Sequence, residues 1–112
     1  MHTHDPSRPD QTLEIALRRA PGVDVLSLTG SLDIFTAHLL HDAVWNSLCA
    51  QPVLTLDLSG VDFIDPRGIS TLLAARRWTV RRDADMVVRA RAHTRKVLHI
   101  CRLDEVLRVV GT

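Results

Sequence analysis

Residues 53–73, VLTLDLSGVDFIDPRGISTLL, join an apolar strand pattern to a capped helix through an acidic turn, and this junction constrains the fold more than any other part of the chain. Val53, Leu54, Leu56 and Leu58 form an apolar run too short for a helix and framed by Pro52 and Gly60, so they read as a strand buried on both faces. A parallel sheet is the setting that such a strand implies. Asp65, followed by Pro66, Arg67 and Gly68, has the order of an N-cap carboxylate and a proline at the first helical position. A helix therefore starts there.

The rest of the chain arranges itself around that unit. Leu13, Ile15 and Leu17 alternate with polar or small residues, and after Pro21-Gly22 the residues Val23, Val25, Leu26 and Leu28 continue a strand pattern, giving an opening hairpin. Thr36 reads as the cap of a first helix with Ala37, Leu40, Val44 and Leu48 on one stripe. The second helix carries Ile69, Leu72, Leu73 and Val80 inward and ends near Asp83. Met86, Val87 and Val88 form the next strand, and His93-Thr94-Arg95 opens a third helix with Val97, Leu98 and Cys101 on one side. A short element around 106–110 closes the chain. The order β-β-α-β-α-β-α needs crossover connections, hence an α/β fold with a mainly parallel sheet, an antiparallel N-terminal hairpin and helices packed on it. Residues 1–11, with two prolines and few apolar side chains, read as a disordered tail, leaving one domain over 12–112.

Composition narrows the function classes. A chain of 112 residues with 46% hydrophobic content suits one compact domain without disulfides. Its apolar runs fall far short of the ~20 residues that span a bilayer, so a cytoplasmic protein with no membrane insertion is expected. Cys49 and Cys101 are too few and too far apart for a disulfide scaffold or a zinc knuckle and read as independent thiols, redox-active only if the fold brings them together. The net charge of +1 hides a split: residues 1–66 carry three basic and nine acidic side chains, and 67–112 eleven basic and four acidic. Aromatic residues are nearly absent from the basic half, and Arg76, Arg77, Arg81 and Arg82 read as a solvated helix end complementing the dipole. Direct nucleic-acid binding is not expected.

Nothing in the sequence points to catalysis or a cofactor. Asp33, Asp57 and Asp65 all read as lying near the carboxyl ends of strands, where open α/β sheets bind ligands. Each is explained as a cap or turn residue, and the first strand ends at Arg18-Arg19 rather than in the adjacent acids that a phosphoryl-accepting metal site needs. His38 and His41 lie three apart on the first helix with no further ligand in sequence. Ser59, Ser70 and Thr71 have no histidine or lysine at the spacing of an activating base, and the five glycines form no phosphate loop. No metal is expected.

Taken in order, Gly30-Ser31-Leu32-Asp33, Leu56-Asp57-Leu58-Ser59, Val61-Asp62-Phe63-Ile64-Asp65 and Leu103-Asp104-Glu105-Val106 make the chain, over roughly 13–110, resemble the STAS domains of bacterial anti-sigma factor antagonists. In that family an Asp-Ser-Ser-Gly turn opens the second helix, and its second serine is phosphorylated by a kinase that doubles as the anti-sigma factor. The corresponding turn here is Asp65-Pro66-Arg67-Gly68, with both serines replaced and Arg67 in the phosphoacceptor's place. The resemblance implies the STAS fold and a non-catalytic, transcription-regulating binding module. Its partner would be an anti-sigma factor or serine kinase-like protein, engaged through Ser31, Asp33 and Phe35, the turn Asp65, Pro66, Arg67 and Gly68, and Thr71 on the following helix.

Arg67 has two readings. The dipole penalty for a cation in the first helical turn is only ~0.3–1 kcal/mol, which drift tolerates; equally, the planar guanidinium suits a partner's carboxylate. On either reading a positive side chain does not imitate phosphoserine. Ser70 and Thr71 are the nearest substitute phosphoacceptors. The alternative function is a STAS subunit of an ABC-type transport complex, docked on a transport ATPase; nucleotide binding by the domain itself lacks a phosphate loop. A homodimer is compatible with the sequence and unsupported by it.

Overall fold

The computed structural model describes residues 12–47 and 51–112. Its elements are β1 (Leu13–Ala20), β2 (Val23–Leu32), α1 (Ala37–Ser47), β3 (Val53–Ile64), α2 (Pro66–Arg81), β4 (Asp85–Ala90), α3 (Ala92–Ile100), a 3₁₀ turn (Leu103–Glu105) and β5 (Arg108–Gly111). The expected tail over 1–11, Leu48 and Cys49 lie outside the described residues.

The five strands stand in the order β1-β2-β3-β4-β5, with β1 antiparallel to β2 and the other pairs parallel. The Pro21-Gly22 turn closes the hairpin, with Gly22 at a φ of +80° that a side chain would strain. Each crossover steps one strand in the same direction, so the three share one hand and place all three helices on one face.

That geometry corrects the reading of Val53–Leu58 as buried on both faces. Leu54, Leu56 and Leu58 point into the helical layer with at most 2% exposure, whereas Val53, Thr55 and Asp57 on the opposite face are only partly covered. The single core joins these leucines to Leu26, Leu28, Leu40, Leu72, Val88 and Leu98. Each such side chain contributes about 1.5–3 kcal/mol on burial.

β3 also runs well past Gly60, where the sequence pattern stopped it. Its pairing with β2 passes from Ser27↔Asp57 to Thr29↔Gly60 and from Gly30↔Val61 to Ser31↔Phe63, so β3 carries an extra residue twice. These are bulges, which bend a strand and strengthen its twist without ending it. At the first, Asp57 Oδ1 accepts hydrogen bonds from the Ser59 amide at 3.0 Å and the Ser59 hydroxyl at 2.6 Å. Gly60 is needed there because a Cβ would sit 2.8 Å from the Leu28 carbonyl oxygen.

The helices bury narrower stripes than expected. α2 buries Gly68, Leu72, Ala75 and Thr79, while Val80 turns outward at 53% exposure. Thr79 tolerates full burial because its hydroxyl donates to the Arg76 carbonyl oxygen at 2.8 Å. α3 buries Thr94 and Leu98 and starts after Arg91; Cys101 lies beyond its last residue and is exposed. Arg102, at a φ of +60°, then turns the chain into the 3₁₀ segment.

Candidate functional site

Two turns meet at the carboxyl edge of β2 and β3, and one carboxylate holds them together. Asp65 caps α2 through Oδ1, which accepts the Gly68 amide at 2.9 Å, with Pro66 in the first turn as expected. Its other oxygen, Oδ2, accepts the Ile34 amide at 3.1 Å from the β2–α1 loop. The Asp65 amide in turn donates to the Leu32 carbonyl oxygen at 3.2 Å. Gly68 permits the close approach: a Cβ there would collide with the Leu32 carbonyl oxygen.

The β2–α1 loop is locked by a second carboxylate. Asp33, 4% exposed, accepts the Phe35 amide at 2.9 Å and the Thr36 amide at 3.2 Å on Oδ1, and its own amide donates to Thr36 Oγ1 at 3.0 Å. This reciprocal pair is a capping box, so Asp33 rather than Thr36 starts the turn leading into α1. The Thr36 hydroxyl proton goes to the Ser31 carbonyl oxygen at 2.7 Å.

These bonds sort the expected site residues by what they offer a partner. Ser31, Asp33 and Gly68 are buried and shape the face from beneath; Phe35, Pro66 and Arg67 are exposed on it, and Asp65 is half-buried between them. No ion pair among the described residues involves Arg67. Ser70 is exposed and Thr71 partly covered, and their hydroxyls donate at 3.0 Å to the Pro66 and Arg67 carbonyl oxygens.

The sequence points to the segment Ser31 to Phe35 as part of this face, but not to Phe63, which completes its apolar rim. Ile34 is 58% exposed and Phe63 55%, alongside Phe35 at 49%. The signal was present in Phe63, which follows Asp62 outward and so breaks the alternation of β3, but the bulge that turns it out leaves no mark on a strand pattern. Asp57 does not join the site: it pairs with Ser27 and Arg89 in the middle of β3. Among the described residues no group of three or more histidine, cysteine or acidic side chains is placed to hold a metal ion. No helix among them is long and apolar enough to cross a membrane.

The profile of the family described as "Mlab, STAS domain" matches residues 15–110. The anti-sigma-F factor antagonist RsfB of Mycobacterium tuberculosis is 32% identical over 108 residues, which cover 95% of this chain and 87% of RsfB. A crystal structure of an anti-sigma factor antagonist from Mycobacterium paratuberculosis superposes with a TM-score of 0.83 at 29% identity, covering 93% of this chain and 89% of that one. The Bacillus cell fate determinant SpoIIAA, in its phosphorylated form, shares the fold with a TM-score of 0.69 at 16% identity, over 88% of this chain and 91% of its own. The mixed five-stranded sheet with its antiparallel β1–β2 pair is common ground with these structures, and the chain belongs to the STAS domain family.

Proposed function

We propose that this protein is an anti-sigma factor antagonist, a non-catalytic regulatory module that binds a kinase-like anti-sigma factor and is not switched by phosphorylation at the turn that opens α2. The observation that carries the reading is the face joined by Asp65, whose two turns leave Arg67, Ile34 and Phe35 exposed, with Phe63 exposed on β3. Its support from relatives is the likeness to RsfB, itself an anti-sigma-F factor antagonist, over nearly the whole chain.

Charge at the turn that opens α2 decides how the face behaves. The first turn of a helix presents unpaired amides and a positive dipole end, which favour an added phosphate. Arg67 puts a permanent positive charge there instead, because a guanidinium is not deprotonated at any physiological pH. The face then stays in one charge state, with an apolar rim that loses water on docking and a planar fork that pairs with a carboxylate. Control passes to protein level or to competition between partners.

The test is to mix the purified protein with the kinase-like anti-sigma factor of its own organism, with and without ATP. The reading predicts a stable complex in both conditions and no added phosphate on residues 65–71 by mass spectrometry. Loss of the complex on adding ATP, with phosphate on Ser70 or Thr71, contradicts the absence of a switch. Failure to bind, with a transport ATPase retained in its place, contradicts the function.

A further inference from the structure

A groove of about 350 Å³ lies between α1 and α2, runs from Thr71 toward the far end of α2, and holds both tryptophans of the chain. Its floor is apolar and small, built by Val44, Ala74 and Ala75, and its rim carries Arg77 and Arg81. Trp45 and Trp78 stack at a centroid distance of 3.8 Å, and the Arg82 guanidinium sits 4.0 Å from the Trp78 ring centre. Two groups that close to one ring occupy opposite faces of it. His41 stacks more loosely on Trp45, at 6.2 Å.

The arginines at this end of α2 are therefore not a uniformly solvated face. Arg82 packs on Trp78, Arg76 Nε donates to the Val106 carbonyl oxygen at 3.3 Å, and Arg77 and Arg81 are left facing the groove. Among the described residues no carboxylate lines it; the one on α1, Asp42, pairs with His41 at 3.2 Å. Trp45 remains 52% exposed above the floor.

We propose that this groove docks an acidic amphipathic segment of a partner protein, with an apolar side chain entering beside Trp45 and a carboxylate pairing with Arg77 or Arg81. Charge complementarity sets the sign, because an apolar floor under two unpaired guanidinium groups attracts carboxylates and repels basic chains. A flat ring, such as a nucleic-acid base, does not enter between the stacked indoles, and the outer face of Trp45 that it would need is shared with His41 at 6.2 Å. A second copy of this chain does not supply the occupant. Its helices α1, α2 and α3 hold one acidic residue, Asp42, the acids of its 3₁₀ turn are already engaged, Asp104 by His99 and Glu105 by Arg102, and its acidic N-terminal residues 2–11 include no large apolar side chain.

The experiment is a selection of random 12-residue peptides displayed on phage, counter-selected on the Arg77→Glu/Arg81→Glu variant. The expected peptides combine Asp or Glu with Leu, Met or Phe. Each changes the tryptophan fluorescence of the full chain, which reports the groove alone because both indoles line it, and binding weakens with salt. Affinity falls at least tenfold in the Glu variant and by a smaller factor in Arg77→Gln/Arg81→Gln, with the circular dichroism of both unchanged. Peptides that lack acids, bind the variants equally, or leave the fluorescence unaltered overturn the proposal, as does recovery of no groove-dependent peptide. Concentration-dependent self-association that the Glu variant abolishes assigns the groove to a second copy and also overturns it. No anti-sigma factor enters the experiment, so its failure is distinct from failure of the function proposed above.

Discussion

Asp65 and Ile34 are joined across 31 residues of sequence by a 3.1 Å hydrogen bond from the Ile34 amide to Oδ2 of the residue that also caps α2. One side chain thereby sets the position of the β2–α1 loop relative to the start of α2. The carboxylate adds to the β2–β3 pairing at Leu32 and Ile64 and to the hydrogen bond from the Asp65 amide to Leu32, which bring the two turns together.

Replacing it should loosen both turns at once. Asp65→Ala is expected to cost about 1–2 kcal/mol for the lost cap, with a further loss from the Ile34 amide left without its acceptor. Urea unfolding measures the total. Hydrogen exchange gives the sharper reading: the Ile34 and Gly68 amides should lose protection together, and faster exchange at Gly68 alone would show that the two turns are held independently.

Gly68→Ala tests the close approach beneath the face. The added Cβ collides with the Leu32 carbonyl oxygen, which is backbone and has little room to yield. Overpacking of this kind costs about 1–3 kcal/mol, although alanine is the better helix former by about 1 kcal/mol. A net loss of stability is expected in thermal or urea unfolding. A gain would mean that α2 starts farther from β2 than described.

Much of this architecture was readable in the sequence because it rests on local chemistry. Asp65-Pro66 announces a helix start, Pro21-Gly22 a hairpin, and strands separated by helices a parallel sheet, and all three stand in the structure. The errors came where a long-range contact decides. Gly60 looked like a strand end and is a bulge glycine fitted against Leu28; Thr36 looked like a cap and is the reciprocal partner of Asp33. Helical phase points Val80 and Cys101 inward, but the buried stripe of α2 drifts to Thr79 and α3 ends at Ile100. The groove was invisible for a related reason, since Trp45 and Trp78 lie on different helices and meet only when α1 packs beside α2.

Asp24 is an expense that the fold carries inside β2. It is 2% exposed, neither carboxylate oxygen has a hydrogen-bond partner among the described residues, and the cation that pairs with it, Arg19 Nε, stands 3.8 Å away on a mostly exposed side chain. Burying a charge so weakly compensated is unfavourable, and replacing such groups with packed apolar residues is often stabilising by about 1–4 kcal/mol. Asp24→Val should therefore raise the thermal midpoint. A drop would show that the Arg19 contact outweighs the desolvation of the carboxylate.

The His99–Asp104 pair gives a prediction in pH. Nδ1 of His99 lies 2.7 Å from Asp104 Oδ2, and this bond raises the histidine above its ordinary 6.5 and lowers Asp104 below 3.8. The histidine's contribution to stability is full below pH 6.5 and fades as pH climbs through its raised value; that of Asp104 is full above pH 3.8 and fades as pH falls through its lowered value. The bond is thus at full strength between those two ordinary values. NMR titration of the His99 ring should give a value above 6.5 that returns toward it in Asp104→Asn. No change in the variant would contradict the pairing.

The most direct test of the account is the affinity of the kinase-like anti-sigma factor for wild type and for Arg67→Glu and Arg67→Ser, measured by calorimetry without ATP. Tight binding is expected for wild type, a several-fold loss for Arg67→Ser, which lacks the guanidinium, and at least a tenfold loss for Arg67→Glu, whose negative charge would face the partner carboxylate that Arg67 is proposed to pair with. Equal binding by wild type and Arg67→Glu would contradict the account, because the turn opening α2 would then lie outside the surface that the partner reads.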